Sequence, residues 1–207
     1  MSKKLNVEAG DILAIPTTKN EQLGYILARV IQRKQSALIE FFDTFYTNFD
    51  IDEKSLSDKV FTKKDRLFPP IRVILLFHDV KGTDKWKIVA HSNTLDVDEA
   101  KSGLISLMFS YKNDGRYLED DIEKIDPPES RTRVAEEEMF WQVEQVMFRI
   151  QFYMNGTYKK GEIFEQKKIF ADYYQNNRDK FSQMLKNTTE ISRKVSLEFN
   201  KVSITHD

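Results

Sequence analysis

Leu23-Gly24-Tyr25-Ile26-Leu27-Ala28-Arg29-Val30-Ile31 is the stretch that decides the fold. Seven of its nine residues are apolar and one is charged, so the spacing predicts a strand covered on both faces for much of its length. Upstream, Asp11 to Ile15 is a shorter apolar run that Pro16 is expected to stop, and Thr17-Thr18-Lys19-Asn20-Glu21 has the polar character of a connection. Downstream, Gln32-Arg33-Lys34-Gln35-Ser36 reads as a turn, and Ala37 to Phe42 as a third strand. Three short strands joined by tight loops bury both faces most simply by curling, which predicts a small SH3-like β-barrel at the N-terminal end.

Further along, Asp50 to Lys64 is polar and is expected to hold a short helix around Glu53 to Val60, closed by Pro69-Pro70. Ile71 to Phe77 and Trp86 to Ala90 flank Lys81-Gly82-Thr83-Asp84, the chemistry of a hairpin tip. Leu104 to Tyr111 and Tyr117 to Ile125 flank Asn113-Asp114-Gly115 and predict a second hairpin. Beyond Pro127-Pro128 the period changes to that of an amphipathic helix. Val134, Met139, Val143, Val146, Met147, Ile150 and Met154 place it from Arg131 to about Met154, with Ser130 as N-cap and Asn155-Gly156 as stop. A second helical pattern runs from Glu162 to about Lys186, and the residues after it fit strand or helix spacing equally well. The predicted class is α+β, with residues 1–154 as the main domain and 155–207 as a mostly helical extension.

Composition bounds the function. Among 207 residues, 32 Lys and Arg stand against 33 Asp and Glu, a net charge of -1 that disfavours binders needing a strong field, such as non-specific DNA binders or polybasic membrane anchors. With no cysteine there is no disulfide, thiolate nucleophile or Cys-based zinc site. No signal peptide and no membrane-spanning run is evident, so a cytoplasmic location is expected, with neither membrane nor nucleic acid as partner. Phosphate-loop, dinucleotide, His-Glu-x-x-His and Gly-x-Ser-x-Gly patterns are missing. The expectation is therefore no catalytic residue, no metal and no cofactor.

Only three histidines exist, and a turn between Gly82 and Thr83 would set His78 and His91 apart, while His206 lies beside the C-terminus. Asp96-Val97-Asp98-Glu99 reads as a solvated acidic loop without the ligand spacing of a calcium site. The aromatic run Phe41-Phe42-Asp43-Thr44-Phe45-Tyr46-Thr47-Asn48-Phe49 has two readings, a barrel-core cap or a stacking platform for nucleic acid or a peptide. A hydrolase would need acids or His78 to converge in a deep pocket. Charge is distributed unevenly: Glu119, Asp120, Asp121, Glu123, Asp126, Glu129, Glu136, Glu137 and Glu138 face only Lys124, Arg131 and Arg133 in a twenty-residue stretch, whereas residues 156–207 carry net +3. Three of these acids fall in the first turns of the predicted helix, where the dipole favours them.

The order of these features resembles the immunity protein 26 family of bacterial polymorphic-toxin systems. Gly10-Asp11-Ile12-Leu13-Ala14-Ile15-Pro16, then Gly24 to Ile31, then Phe41-Phe42-Asp43 carry the likeness. Trp86-Lys87-Ile88-Val89-Ala90-His91 is similar to the family's tryptophan strand, and Glu138, Trp141, Val143 and Glu144 to its closing helix. The match spans Asn6 to Phe152; the loop after Pro16 and the stretch from Asp50 to Arg66 depart from it. The resemblance implies a non-catalytic protein that binds and neutralises a cognate toxin. Gly10, Arg29, Asp43, Trp86 and Trp141 are its family-like positions, with structural roles expected first. Arg29, the one charge in its strand, needs a partner if it is covered, and Glu40 or Asp43 are the candidates. Glu119, Asp120, Asp121, Glu123, Asp126, Glu136 and Glu137 are the candidate partner-binding residues, steering toward a basic toxin surface.

Overall fold

The computed structural model describes residues 7–33, 36–74, 86–101, 141–160 and 175–205. β1 (Asp11–Lys19), β2 (Gln22–Arg33), β3 (Ala37–Tyr46) and β4 (Arg66–Ile74) form an antiparallel meander. β5 (Lys87–His91) pairs antiparallel with β1, and the two-residue β6 (Trp141–Gln142) pairs parallel with β4. The strand order β5-β1-β2-β3-β4-β6 is that of an open sheet, so the expected closed barrel is not what forms. Helices achieve what curling alone was expected to do. Gly24 to Ile31 is buried throughout, because helices and loops cover β2 from both sides.

Proline signals explain most of the differences in strand boundaries. β1 runs through Pro16 to Lys19 and turns at Asn20-Glu21, both with positive φ (50° and 64°), a two-residue hairpin turn whose twist suits the flanking strands. Pro16 is tolerated since β5 pairs with β1 only from Asp11 to Ala14, leaving the proline no ladder bond to supply on that side among the described residues. Pro69-Pro70 likewise lies inside β4, at an irregularity in its pairing with β3, and does not end a helix. The expected hairpin between the strands beginning at Ile71 and Trp86 is also corrected: β4 and β5 lie on opposite sides of the meander, and β5 pairs with β1. The intended tip, 81–84, lies outside the described residues, as do the hairpin around 113–115 and the Ser130 cap.

On the inner face, Leu13, Ile15, Ile26, Ala28, Val30, Ile39, Phe41 and Phe68 meet Val143, Val146, Met147, Phe148 and Ile150 of α3 (Val143–Met154). This helix starts at Val143 and not through Trp141-Gln142, which are extended; the Gln145 side chain accepts the Gln142 N–H at 2.9 Å and fixes the strand-to-helix junction. On the outer face, Ile12, Ala14, Tyr25, Leu27 and Phe42 pack under α1 (Glu53–Ser57) and its flanks, and Ile31 and Leu38 pack under α2 (Val97–Lys101). α1 begins where predicted, capped by the Asp52 carboxylate on the Ser55 N–H. α2 replaces the expected acidic loop, with Asp96 accepting from the Glu99 N–H at 2.9 Å.

The ambiguous C-terminal spacing resolves as helix: α4 (Arg178–Thr205) is 28 residues long. Its first turns set Phe181, Met184 and Leu185 against the inner cluster, and Ile191, Val195 and Phe199 against the outer one. Between them Thr188 and Ser192 are buried, with Ser192 Oγ on the Thr188 carbonyl at 2.9 Å. No helix among the described residues is long and apolar enough to cross a membrane.

Candidate functional site

Three of the family-like positions sit where strands are tied together. Gly10 has φ +96° and donates its N–H to the Val30 carbonyl at 2.8 Å while its own carbonyl accepts from Ser92, so it joins β2 to the residue after β5. A Cβ there would meet the His91 ring at 2.7 Å, so the positive φ favours glycine and any side chain would also have to push the exposed His91 ring aside. His91 in turn places Nδ1 3.0 Å from Asp11 Oδ1, opposite it in the β1–β5 ladder. Trp86 is buried in the inner cluster, edge-on to Phe41 at 6.0 Å, and its Nε1 has no acceptor among the described residues. Trp141 joins the same cluster from β6. It forms one wall of an aromatic box around the fully buried Arg149, whose guanidinium lies 4.0 Å from the Phe68 ring centroid, 5.1 Å from Trp141 and 5.9 Å from Tyr153.

Arg29 finds its partner as the charge argument requires, and it is Glu40 and not Asp43. The two are cross-strand neighbours, with Arg29 Nη2 2.7 Å and Nε 2.8 Å from Glu40 Oε1. Asp43 lies further along β3, exposed, with Lys160 Nζ 3.4 Å away. Glu40 holds a second cation on its other oxygen: Arg66 Nε at 2.8 Å and Nη2 at 2.7 Å from Oε2. The triad joins three adjacent strands on the outer face. Its other contacts are neutral: Arg29 Nη1 to Ser92 Oγ at 3.3 Å, Arg66 Nη2 to the Ala100 carbonyl at 2.8 Å, and the Phe42 and Phe61 rings beside Arg29. Two guanidiniums on one carboxylate leave a net charge of +1.

The turn before Arg66 is itself fixed by a carboxylate. A 3-10 turn, Lys63–Asp65, closes with Asp65 Oδ2 accepting from both the N–H and the hydroxyl of Thr62 at 2.8 Å. The Thr62 backbone N–H, then its hydroxyl, hold the Asp65 carboxyl below the usual carboxylate range, with Lys160 and Lys59 adding to the effect.

The aromatic run divides between the two faces as alternation in β3 demands. Phe41 is inner core, tilted against Phe68 at 5.1 Å, whereas Phe42 is outer core and stacks on Phe61 at 4.0 Å. Tyr46 and Phe49 pack around Tyr25, which Phe199 of α4 also contacts at 5.1 Å. Lys59 Nζ bonds the Tyr46 hydroxyl at 2.8 Å and lies over the Tyr46 and Phe61 rings. These rings are thus engaged by the chain's own side chains. Burial, then the nearby Tyr46, pushes the Tyr25 phenol up to about 12.

The acidic candidates Glu119, Asp120, Asp121, Glu123, Asp126, Glu136 and Glu137 lie outside the described residues, as do His78 and His206. Among the described residues no three His, Asp or Glu side chains group as a metal site. Arg66 and Arg149 were not singled out by sequence reasoning. Arg66 belongs to Lys63-Lys64-Asp65-Arg66, whose short length and mixed sign make it only weak evidence for nucleic acid, and Arg149 interrupts the apolar face of α3 without a sequence signal that marks it as buried. No family model, curated protein or solved structure matches the chain.

Proposed function

We propose that this chain is a non-catalytic immunity protein that binds and neutralises a cognate bacterial toxin inside the producing cell. The observation that carries the reading is the placement of the residues on which the resemblance rests. Gly10, Arg29, Trp86 and Trp141 lie up to 131 positions apart, yet they occupy strand junctions of one sheet and its inner core. That supports a scaffold of the kind the resemblance implies, rigid through its centre and with its recognition carried by what the sheet displays. The acidic stretch from Glu119 to Glu138 is the proposed recognition element, because its local charge of -6 would steer a basic toxin surface toward it.

The test begins with the gene beside this one. Where it encodes a large exported protein with a variable C-terminal domain, that domain is produced with and without this chain. Growth arrest relieved by co-production, together with a stable complex in size-exclusion chromatography, is the expected result. Full toxicity with no complex overturns the reading. Neutralising Asp120, Asp121 and Glu123 together should slow association at low salt about tenfold or more while leaving the sheet intact. An association rate indifferent to both salt and these substitutions removes the acidic stretch from the interface.

A further inference from the structure

Met154-Asn155-Gly156-Thr157 holds the one Asn-Gly pair among the 207 residues, and it falls where α3 gives way to the chain that follows. Every other asparagine precedes a residue that carries a side chain. Asn155 is the C-cap of α3, exposed, with φ -90° and ψ 3°. Gly156 takes φ +78°, and nothing lies within 4 Å of the place where its Cβ would stand. The Asn155 amide is held by its oxygen alone. Oδ1 accepts from the Thr157 N–H at 3.1 Å and from the Thr157 hydroxyl at 2.7 Å, whereas Nδ2 has no partner among the described residues and stands open to water.

We infer that Asn155 is a site of spontaneous deamidation, in which the Gly156 backbone nitrogen attacks the carbonyl carbon of the Asn155 side chain. The nitrogen gives up its proton to hydroxide and bonds to Cγ; the Cγ–Nδ2 bond breaks, and ammonia leaves with a proton taken from water, which gives a cyclic imide. Water then adds to either imide carbonyl, and ring opening returns aspartate or isoaspartate, the latter with its backbone running through Cγ. Glycine sets no Cβ in the path of the attacking nitrogen. The two donors on Oδ1 stabilise the negative charge that gathers there as Cγ becomes tetrahedral. Against this, the Gly156 N–H donates to the Tyr153 carbonyl at 3.2 Å and the Asn155 N–H to the Gln151 carbonyl at 2.9 Å, so the nitrogen reaches Cγ when the last turn of α3 opens. The product changes the end of α3 in charge and in length. A carboxylate replaces a neutral amide beside the terminal carbonyls of the helix, where negative charge is unfavourable. Isoaspartate also adds a methylene to the backbone just ahead of the bonds that return the chain to the sheet, from the Tyr158 N–H to the Phe152 carbonyl at 3.1 Å and from Lys160 Nζ to the Lys64 carbonyl at 2.7 Å. The site is independent of the acidic stretch and of the toxin reading.

The test ages the full chain at mildly alkaline pH and body temperature and follows it by peptide mapping with mass spectrometry, with enzymatic methylation of isoaspartyl carboxylates as a second readout. Expected are conversion at Asn155 well ahead of every other asparagine, both aspartate and isoaspartate as products, and a rate that rises with pH as hydroxide takes the Gly156 proton. Asn155→Gln, whose longer side chain has to close a larger ring, should stop the reaction at this position. Thr157→Val keeps the backbone donor and removes the hydroxyl; it should slow the reaction several-fold in the folded chain and make little difference in urea. In the isoaspartyl form, hydrogen exchange at Tyr158 should be faster while the amides of β2 and β3 are unchanged. Asn155 left intact after other asparagines have reacted overturns the site, and aspartate as the sole product overturns the imide route. An equal rate in Thr157→Val overturns the part given to its hydroxyl, and unchanged exchange at Tyr158 overturns the effect on the end of α3.

Discussion

The two faces of the sheet are covered by different means. Among the described residues the inner face meets the amphipathic helix α3 and the first turns of α4, and its cluster is apolar from Leu13 to Met154 around the boxed cation Arg149. The outer face is covered piecemeal by α1, α2 and the second half of α4, and the Arg29–Glu40–Arg66 triad lies in it with the Phe42–Phe61 stack beside Arg29. Where long helices lie along a face, hydrocarbon fills nearly all of it, and the one cation in it stands in an aromatic box. A face covered by several short elements has junctions, and the charged side chains sit at them, joining β2, β3 and β4 to Ser92 and Ala100 where no single element spans the gap.

Truncating one residue on each face tests this directly. Phe41→Ala, which empties space between Phe68, Trp86 and α3, should cost about 3–5 kcal/mol in urea unfolding. Phe61→Ala, which uncovers Phe42 and Arg29 at a face already in pieces, should cost clearly less, and equal costs would erase the distinction. Next in size is Glu40→Gln, which leaves two buried guanidiniums without their shared anion and should cost about 3 kcal/mol or more. Replacing Arg29, Glu40 and Arg66 together by Met should recover most of that loss, which would show that the triad serves to join the elements and adds little net stability.

Gly10→Ala should cost about 1–3 kcal/mol, from the left-handed backbone and from contact with the His91 ring. Adding His91→Ala should return only the steric part. The smallest effect concerns Tyr25. Its phenol titrates at about 12 in the folded chain against 10.0 for the ordinary group, so its contribution to stability is complete below pH 10 and is lost as pH rises through about 12. Ultraviolet titration of the phenolates should show a late step among the eight tyrosines, and Tyr25→Phe should remove it with little change in stability at neutral pH.

The parts of the fold legible in the sequence are those where one residue's environment follows from its neighbours. A largely apolar run required cover on both faces of β2, and the lone arginine within it required a carboxylate; both are found. The choice between Glu40 and Asp43 was not legible, because it depends on the β2–β3 register, which slips twice. Pro16 and Pro69-Pro70 misled since proline breaks a ladder only where its missing N–H was needed, and that depends on which strand lies alongside. The strands that begin at Ile71 and Trp86 looked like a hairpin because proximity in sequence is the usual guide to pairing; β5 is instead carried to the far edge beside β1. Lys63 Nζ lies 3.1 Å from Glu99 Oε1 although 36 positions separate the two residues, and nothing in either segment announces the other.

The path of α4 has a consequence for synthesis. A ribosome makes this helix after every strand that it covers, so Tyr25 and Leu27 have been translated for more than 150 residues before Val195 and Phe199 arrive to shield them. During that interval the outer face is an apolar surface on a partly assembled chain, the kind of species that associates with its copies or engages chaperones. Chains stalled before Arg178 should therefore aggregate more readily than chains that extend past Phe199, and the time taken to reach this helix sets how long each molecule is exposed to that risk.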